Sequence, residues 1–251
     1  MMRKLTAAGV TDVGRTRQQN EDRLLVQPPL VLVADGMGGH ALGDTAAQAV
    51  VDAFARPNWQ ELRADTSRIQ ELTRCASSAH EEILRLSQTV TGTRGDGAVV
   101  GATVAGALLC ADNLHWLVFH AGDSRAYLWR NNALTQITTD HSYVQALVDS
   151  GAISRAEARS HPQRNIVLRA IGSRGDNTLE FQTNGAQPGD VILVCSDGLT
   201  DGVTDAEIAK TLRELSSETL QAQAYGLRDV ALSHGGHDNI SAALLKIGEQ
   251  A

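Results

Sequence analysis

Three apolar runs in this chain lead into an aspartate that a hydrophobic core has no reason to hold. Residues 30–34 stop at Asp35-Gly36, the stretch WLVFHAG delivers Asp123, and residues 191–195 pass through Ser196 to Asp197-Gly198. Such short continuous apolar runs read as strands buried on both faces, and burying an uncompensated carboxylate at their ends is costly. Asp238 lies in the glycine turn HGGHDN just before the last strand, and Asp22 lies just ahead of the second. A neighbouring glycine permits a tight turn or lets backbone approach a ligand. Carboxylates gathered at one edge repel one another unless divalent cations lie between them. An all-oxygen set of that kind suits Mg²⁺ or Mn²⁺, not a structural Zn²⁺. Taken singly, each Asp-Gly is an ordinary turn, and spacing alone names no substrate.

The periodicity supplies the frame around these residues. Strands are expected at 6–14, 24–26 and 30–34, followed by helices at 41–55 and 66–89 with apolar residues at helical spacing. A glycine-punctuated loop at 92–97 leads to a hairpin of strands 98–110 and 114–121 turning at Ala111-Asp112-Asn113. Strands 125–130 and 134–136 turn at Asn131-Asn132, and 143–151 reads as a helix. Ser154-x-x-Glu157 and Thr204-x-x-Glu207 are capping boxes, the second opening a helix at 205–215, with another helix at 218–232. Weaker strand patterns at 165–171 and 178–183 precede clear strands at 190–195 and 240–247. Runs of strands separated by helix pairs argue for an α+β fold, sheets packed together with helices outside. No repeat or Gly/Ser-rich tether divides the 251 residues, so a single domain is expected over 1–251.

Composition removes several classes. The 22 basic residues against 29 acidic ones leave a formal charge of -7, which argues against a general nucleic-acid binder. No apolar run reaches transmembrane length, and the first residues lack the apolar stretch of a secretory signal. Cys75, Cys110 and Cys195 are odd in number and scattered, which suits core packing in a reduced compartment. A cytoplasmic protein away from membranes is the expectation. Of the 29 acids 18 are Asp, the shorter carboxylate that suits both turns and metal ligation, so composition leaves both roles open.

The ordered set GRTRQQNED, VADGMGGH, GDSRAYLW, TTDHS, HPQRNIVLRAIG, SDGLTDGV and GGHDNIS resembles the metal-dependent protein serine/threonine phosphatases of type 2C, in their compact bacterial form. The resemblance spans about residues 6–247. It implies a four-layer αββα sandwich, with two central antiparallel β-sheets flanked by helices and a two-metal centre at one end. It also implies hydrolysis of phosphoserine and phosphothreonine on proteins by a water or hydroxide that bridges two Mn²⁺ or Mg²⁺ ions.

By this resemblance Asp35 bridges the two ions, the Gly36 carbonyl contributes to one, and Asp197 and Asp238 complete the other. Asp22 sits close to the pair, acting through water, with Glu21 as its neighbour. Asp123 matches a carboxylate that, with Asp197, holds a third and weaker ion. Arg17 matches the arginine that grips substrate phosphate, for which a guanidinium fork is suited; Arg15 beside it reads as a surface residue. Residues 141–165 correspond to a flap beside the site, in which Ser160 resembles a third-metal contact. His237 abuts Asp238 and reads either as an orienting residue or as a packed histidine. The position of a candidate general acid in some relatives is Met37 here, and His40 receives no role. Gly101-Ala102-Thr103 departs from the family's Gly-Thr-Thr by one hydroxyl.

Implied partners are a phosphorylated protein and a cognate bacterial Ser/Thr kinase, for a monomeric enzyme. The competing class is a catalytically silent phosphatase-like module that binds phosphopeptides or acts as a scaffold. Loss of a metal aspartate or of the phosphate arginine would favour it, and Asp22, Asp35, Asp197, Asp238 and Arg17 are all present. Two bound divalent ions would bring the charge from -7 to about -3, so the acid surplus need not repel a phosphorylated substrate.

Overall fold

Strands whose two faces are both apolar must be covered on both sides, and that requirement organises the molecule. The computed structural model describes residues 4–38, 41–62, 64–91 and 100–248. The amino-terminal part forms β1 (Leu5–Asp12), β2 (Asp22–Gln27) and β3 (Leu30–Met37), then α1 (Ala41–Ala55) and α2 (Asp65–Thr91). The middle forms β4 (Gly101–Leu109), β5 (His115–Ala121), β6 (Arg125–Arg130), β7 (Ala133–Gln136), α3 (Tyr143–Asp149) and α4 (Arg155–Ser160). The remainder forms β8 (Glu180–Gly185), β9 (Val191–Cys195), α5 (Asp197–Thr200), α6 (Asp205–Glu214), α7 (Leu220–Ser233) and β10 (Ile240–Ile247).

Two five-stranded antiparallel sheets result, one ordered β1-β10-β9-β6-β7 and the other β2-β3-β4-β5-β8. Val31 and Val33 of β3 face Val194 and Ile192 of β9 and Leu245 of β10 in an apolar layer between the sheets. The alternate residues Leu30, Leu32 and Ala34 pack outward on Phe54 of α1 and Leu72 and Ile83 of α2. On the other side, Leu193 and Leu244 pack with Ile208 and Leu212 of α6 and Leu227 of α7. Three apolar layers separate four layers of secondary structure, which is the expected αββα sandwich.

Local chemistry sets the boundaries. Asn131 and Asn132, at φ 52° and 61°, form the turn between β6 and β7, a backbone region that asparagine tolerates better than most residues. Both capping boxes form, at Ser154 before α4 and at Thr204 before α6. Three expectations are corrected. Residues 165–171 form no strand; Val167, Arg169 and Ile171 make only isolated bridges, and the apolar run there leaves Ile166 and Leu168 exposed. Strand β3 runs beyond residue 34 because Asp35 and Gly36 keep their register with Thr103 and Ala102 of β4. Asp197-Gly198 begins the short helix α5 in place of a simple turn. Met1, the loop at 92–97 and His40 lie outside the described residues, as do residues 98–99 of the hairpin.

Candidate metal centre

Antiparallel pairing brings the acidic strand ends to one edge. Asp22 at the start of β2 lies directly opposite Asp35 near the end of β3. Strand β5 runs parallel to β3 across β4, so Asp123, two residues past its end, arrives on the same side. In the other sheet β9 ends just before Asp197, and its antiparallel neighbour β10 begins just after Asp238. The glycines beside two of these aspartates are required by close backbone approach. A Cβ on Gly36 would lie 2.0 Å from the Gly43 carbonyl oxygen, and one on Gly198 would lie 1.9 Å from that of Asn239.

Like charges placed directly across a strand pair are unfavourable, and here burial compounds the repulsion. Burial first, and then the carboxylates of Asp22, Asp197, Asp123 and Asp238, hold the Asp35 carboxyl well above the ordinary range. Asp197 is raised in the same way by burial, Asp123, Asp201, Asp238 and Asp22. Burial lifts Asp22 to about 6 against opposing hydrogen bonds. Burial and Asp140 lift Asp123 to about 7.

Asp22 is fully buried, and its two oxygens are treated differently. Ser196 Oγ donates to Oδ2 at 2.7 Å, while Oδ1 takes no hydrogen bond among the described residues. The Ser196 hydroxyl accepts from the Ser241 amide at 3.0 Å, so its own proton is committed to Asp22. An orphaned buried oxygen among mutually repelling carboxylates, beside a glycine backbone with no side chain in the way, fits hard divalent cations. Asp22, Asp35, Gly36, Asp197 and Asp238 are the residues that could hold them.

Arg17 reaches this edge from the connection between β1 and β2. Its Nη2 donates to Asp238 Oδ2 at 2.6 Å, while the Asn239 amide donates to Asp238 Oδ1 at 2.8 Å. Glu21 joins through its backbone: its amide donates to Asn239 Oδ1 and its carbonyl accepts from the Gly36 amide. Behind Asp123, Arg125 pairs with Asp140 through two parallel contacts of 2.9 and 2.7 Å. Thr103, the hydroxyl retained in Gly101-Ala102-Thr103, bonds Ser124 Oγ at 2.7 Å.

Two candidates stand apart. Ser160 is exposed at the end of α4, and its hydroxyl donates back to the Glu157 carbonyl at 3.4 Å. His237 is exposed, with its ring standing over Gly235. The Cys195 thiol is buried and pushed up to about 12, the state of a packing residue and not of a nucleophile.

Between residues 142–165 and the sheets lies a cleft of about 230 Å³ lined by Arg155, Arg159 and Arg164 together with Asp123, Asp197 and Asp201. Asp140, Asp201, Ser196 and Asn239 were not singled out by sequence reasoning. The available signal was their place inside the motifs TTDHS, SDGLTDGV and GGHDNIS.

The profile of the protein phosphatase 2C family matches residues 15–232. The chain belongs to this family. The serine/threonine protein phosphatase PstP of Mycobacterium tuberculosis is 38% identical over 245 residues, which are 97% of this chain and 45% of that protein. The chain therefore spans less than half of that relative's length. The serine/threonine phosphatase stp of Listeria monocytogenes is 36% identical, over 94% of this chain and 93% of its own. The crystal structure of the PstP catalytic domain in complex with two manganese ions superposes with a TM-score of 0.85 at 32% identity, covering 98% of this chain and 99% of that one. As a type 2C phosphatase domain, the chain has its acidic edge where the sheets of the sandwich end. No helix among the described residues is long and apolar enough to cross a membrane.

Proposed function

We propose that this phosphatase domain hydrolyses phosphoserine and phosphothreonine on proteins, using two Mn²⁺ or Mg²⁺ ions. The observation that carries the reading is the convergence of Asp22, Asp35, Asp197 and Asp238 with Arg17 at one sheet edge. Asp35, Asp197, Asp238 and the Gly36 carbonyl would hold the pair of ions, with Asp22 beside them and Asp123 available to a third. When bound, such ions lower the pKa of a shared water towards neutrality and offset charge on the phosphoryl group.

The chain's own residues do the rest. Ser196 fixes the orientation of Asp22 by donating to one oxygen and leaves the other facing the carboxylate edge. Arg17, half-exposed, exchanges its contact with Asp238 for two phosphate oxygens and holds the group for in-line attack. The arginines of the flap line the approach to Asp197 and offset the acidic wall. A cytoplasmic monomer that opposes a Ser/Thr kinase is the corresponding cellular role.

The deciding experiment is an Mn²⁺-titrated assay on phosphoserine, phosphothreonine and phosphotyrosine peptides with an EDTA control. Metal-dependent release from the first two supports the reading. Flat activity at every metal concentration overturns it and leaves a phosphopeptide-binding module.

A further inference from the structure

The side chain of Asn239 joins the two segments that meet at the acidic edge, and each of its polar atoms is committed. Oδ1 accepts from the Glu21 amide at 2.8 Å. Nδ2 donates to the Val13 carbonyl at 3.0 Å and to the Gln19 carbonyl at 2.9 Å. These partners fix the amide's orientation, because a flipped group would set its oxygen against two carbonyls and its nitrogen against an N–H. The residue is only 5% exposed, so water does not compete for these bonds.

The two carbonyls are the two ends of the bend at residues 14–18, which carries Arg17. One NH₂ group therefore closes that bend with its two hydrogens. Residues 15–19 are all exposed, so no apolar packing holds the bend in shape. Asn239 also directly follows Asp238, the carboxylate that Arg17 contacts. The Arg15 amide also donates to the Gly236 carbonyl at 2.7 Å, at the start of the bend, so Asn239 is the side chain that ties its two ends together and to the acidic edge. A long arginine side chain anchored on a preshaped bend loses less freedom when it engages a ligand.

We propose that Asn239 is a positioning residue for phosphate capture, acting through Arg17; the inference rests on the reading of Arg17 as the phosphate ligand. N239D keeps an oxygen towards the Glu21 amide but sets the second against the two carbonyls. N239S is neutral and too short to span them. Both variants are expected to raise KM for a phosphothreonine peptide and Ki for inorganic phosphate about tenfold, with kcat less affected. Mn²⁺ affinity of N239S, read by calorimetry, stays within about twofold because Asp238 and its backbone partner are untouched. In an R17A background the same substitutions add nothing further to KM.

An unchanged KM and Ki in folded N239D and N239S overturns the proposal, as does an equal further rise in the R17A background. Failure of both variants to fold also overturns it, leaving Asn239 a structural residue alone. If R17A itself leaves KM and Ki unchanged, the reading of Arg17 fails first, and the two failures are told apart by that single variant.

Discussion

Arg17 and Asp238 stand 221 residues apart in the chain and meet at 2.6 Å, guanidinium Nη2 to carboxylate Oδ2. Roughly half of the Arg17 side chain is open to solvent, and an ion pair so placed is worth about 1 kcal/mol or less. The contact is weak enough to be exchanged for a dianionic phosphate. R17A is expected to raise KM for phosphothreonine peptides about tenfold or more while kcat falls less, since the guanidinium binds phosphate in ground and transition states alike. Steady-state kinetics check this, and unchanged constants would remove Arg17 from the site.

Chelation by EDTA is expected to abolish turnover, and Mn²⁺ to restore it. D35N and D197N should each lose at least about a hundredfold in kcat, because several kcal/mol of charge stabilisation depends on the ions they hold. Calorimetric titration with Mn²⁺ reads the same loss without turnover. Full activity in either variant would break the ligand assignment.

The metal-free protein should become less stable as pH rises. Folding lifts Asp22 to about 6 and Asp123 to about 7, so between pH 4 and 7 the folded chain keeps protons that the unfolded chain has released. Stability therefore falls through that window when EDTA is present. Saturating Mn²⁺ should flatten the slope by taking the place of the protons. Urea denaturation at pH 5 and pH 7.5, with and without metal, tests both halves, and a stability that rises with pH in EDTA would contradict the buried repulsion.

Arg125 and Asp140 form a paired, largely buried contact behind Asp123. D140A would leave the guanidinium without its partner, at a cost of about 3 kcal/mol. The midpoint of urea denaturation should drop accordingly, while D149A, at an exposed position at the end of α3, serves as the control. A loss no larger than the control's would mean that water replaces the carboxylate there.

Much of the fold was legible because both faces of β3, β4 and β9 are apolar, and a strand of that kind must lie between layers. The helix starts at Thr204 and Ser154 were legible because capping is local chemistry. The segment at 165–171 misled because a short β-branched, apolar run does not say whether a neighbouring strand is present to pair. Asp35 and Asp197 stood out as charges at the ends of apolar runs. Asn239 and Ser196 did not, since a polar residue in a loop carries no mark of burial. Their roles depend on partners more than 170 residues away, Ser196 on Asp22 and Asn239 on Val13, and only the closed sandwich brings those together.

Strand β10 lies between β1 and β9, although it is the last strand among the described residues. The sheet that carries Asp197 therefore cannot close until residues 240–247 have left the ribosome and found their slot. Until then Arg17 has no Asp238 to meet, and its bend has no Asn239 to shape it. A chain cut before residue 238 would therefore lack the strand that bridges β1 and β9, the carboxylate that meets Arg17 and the amide that ties Val13 to Gln19.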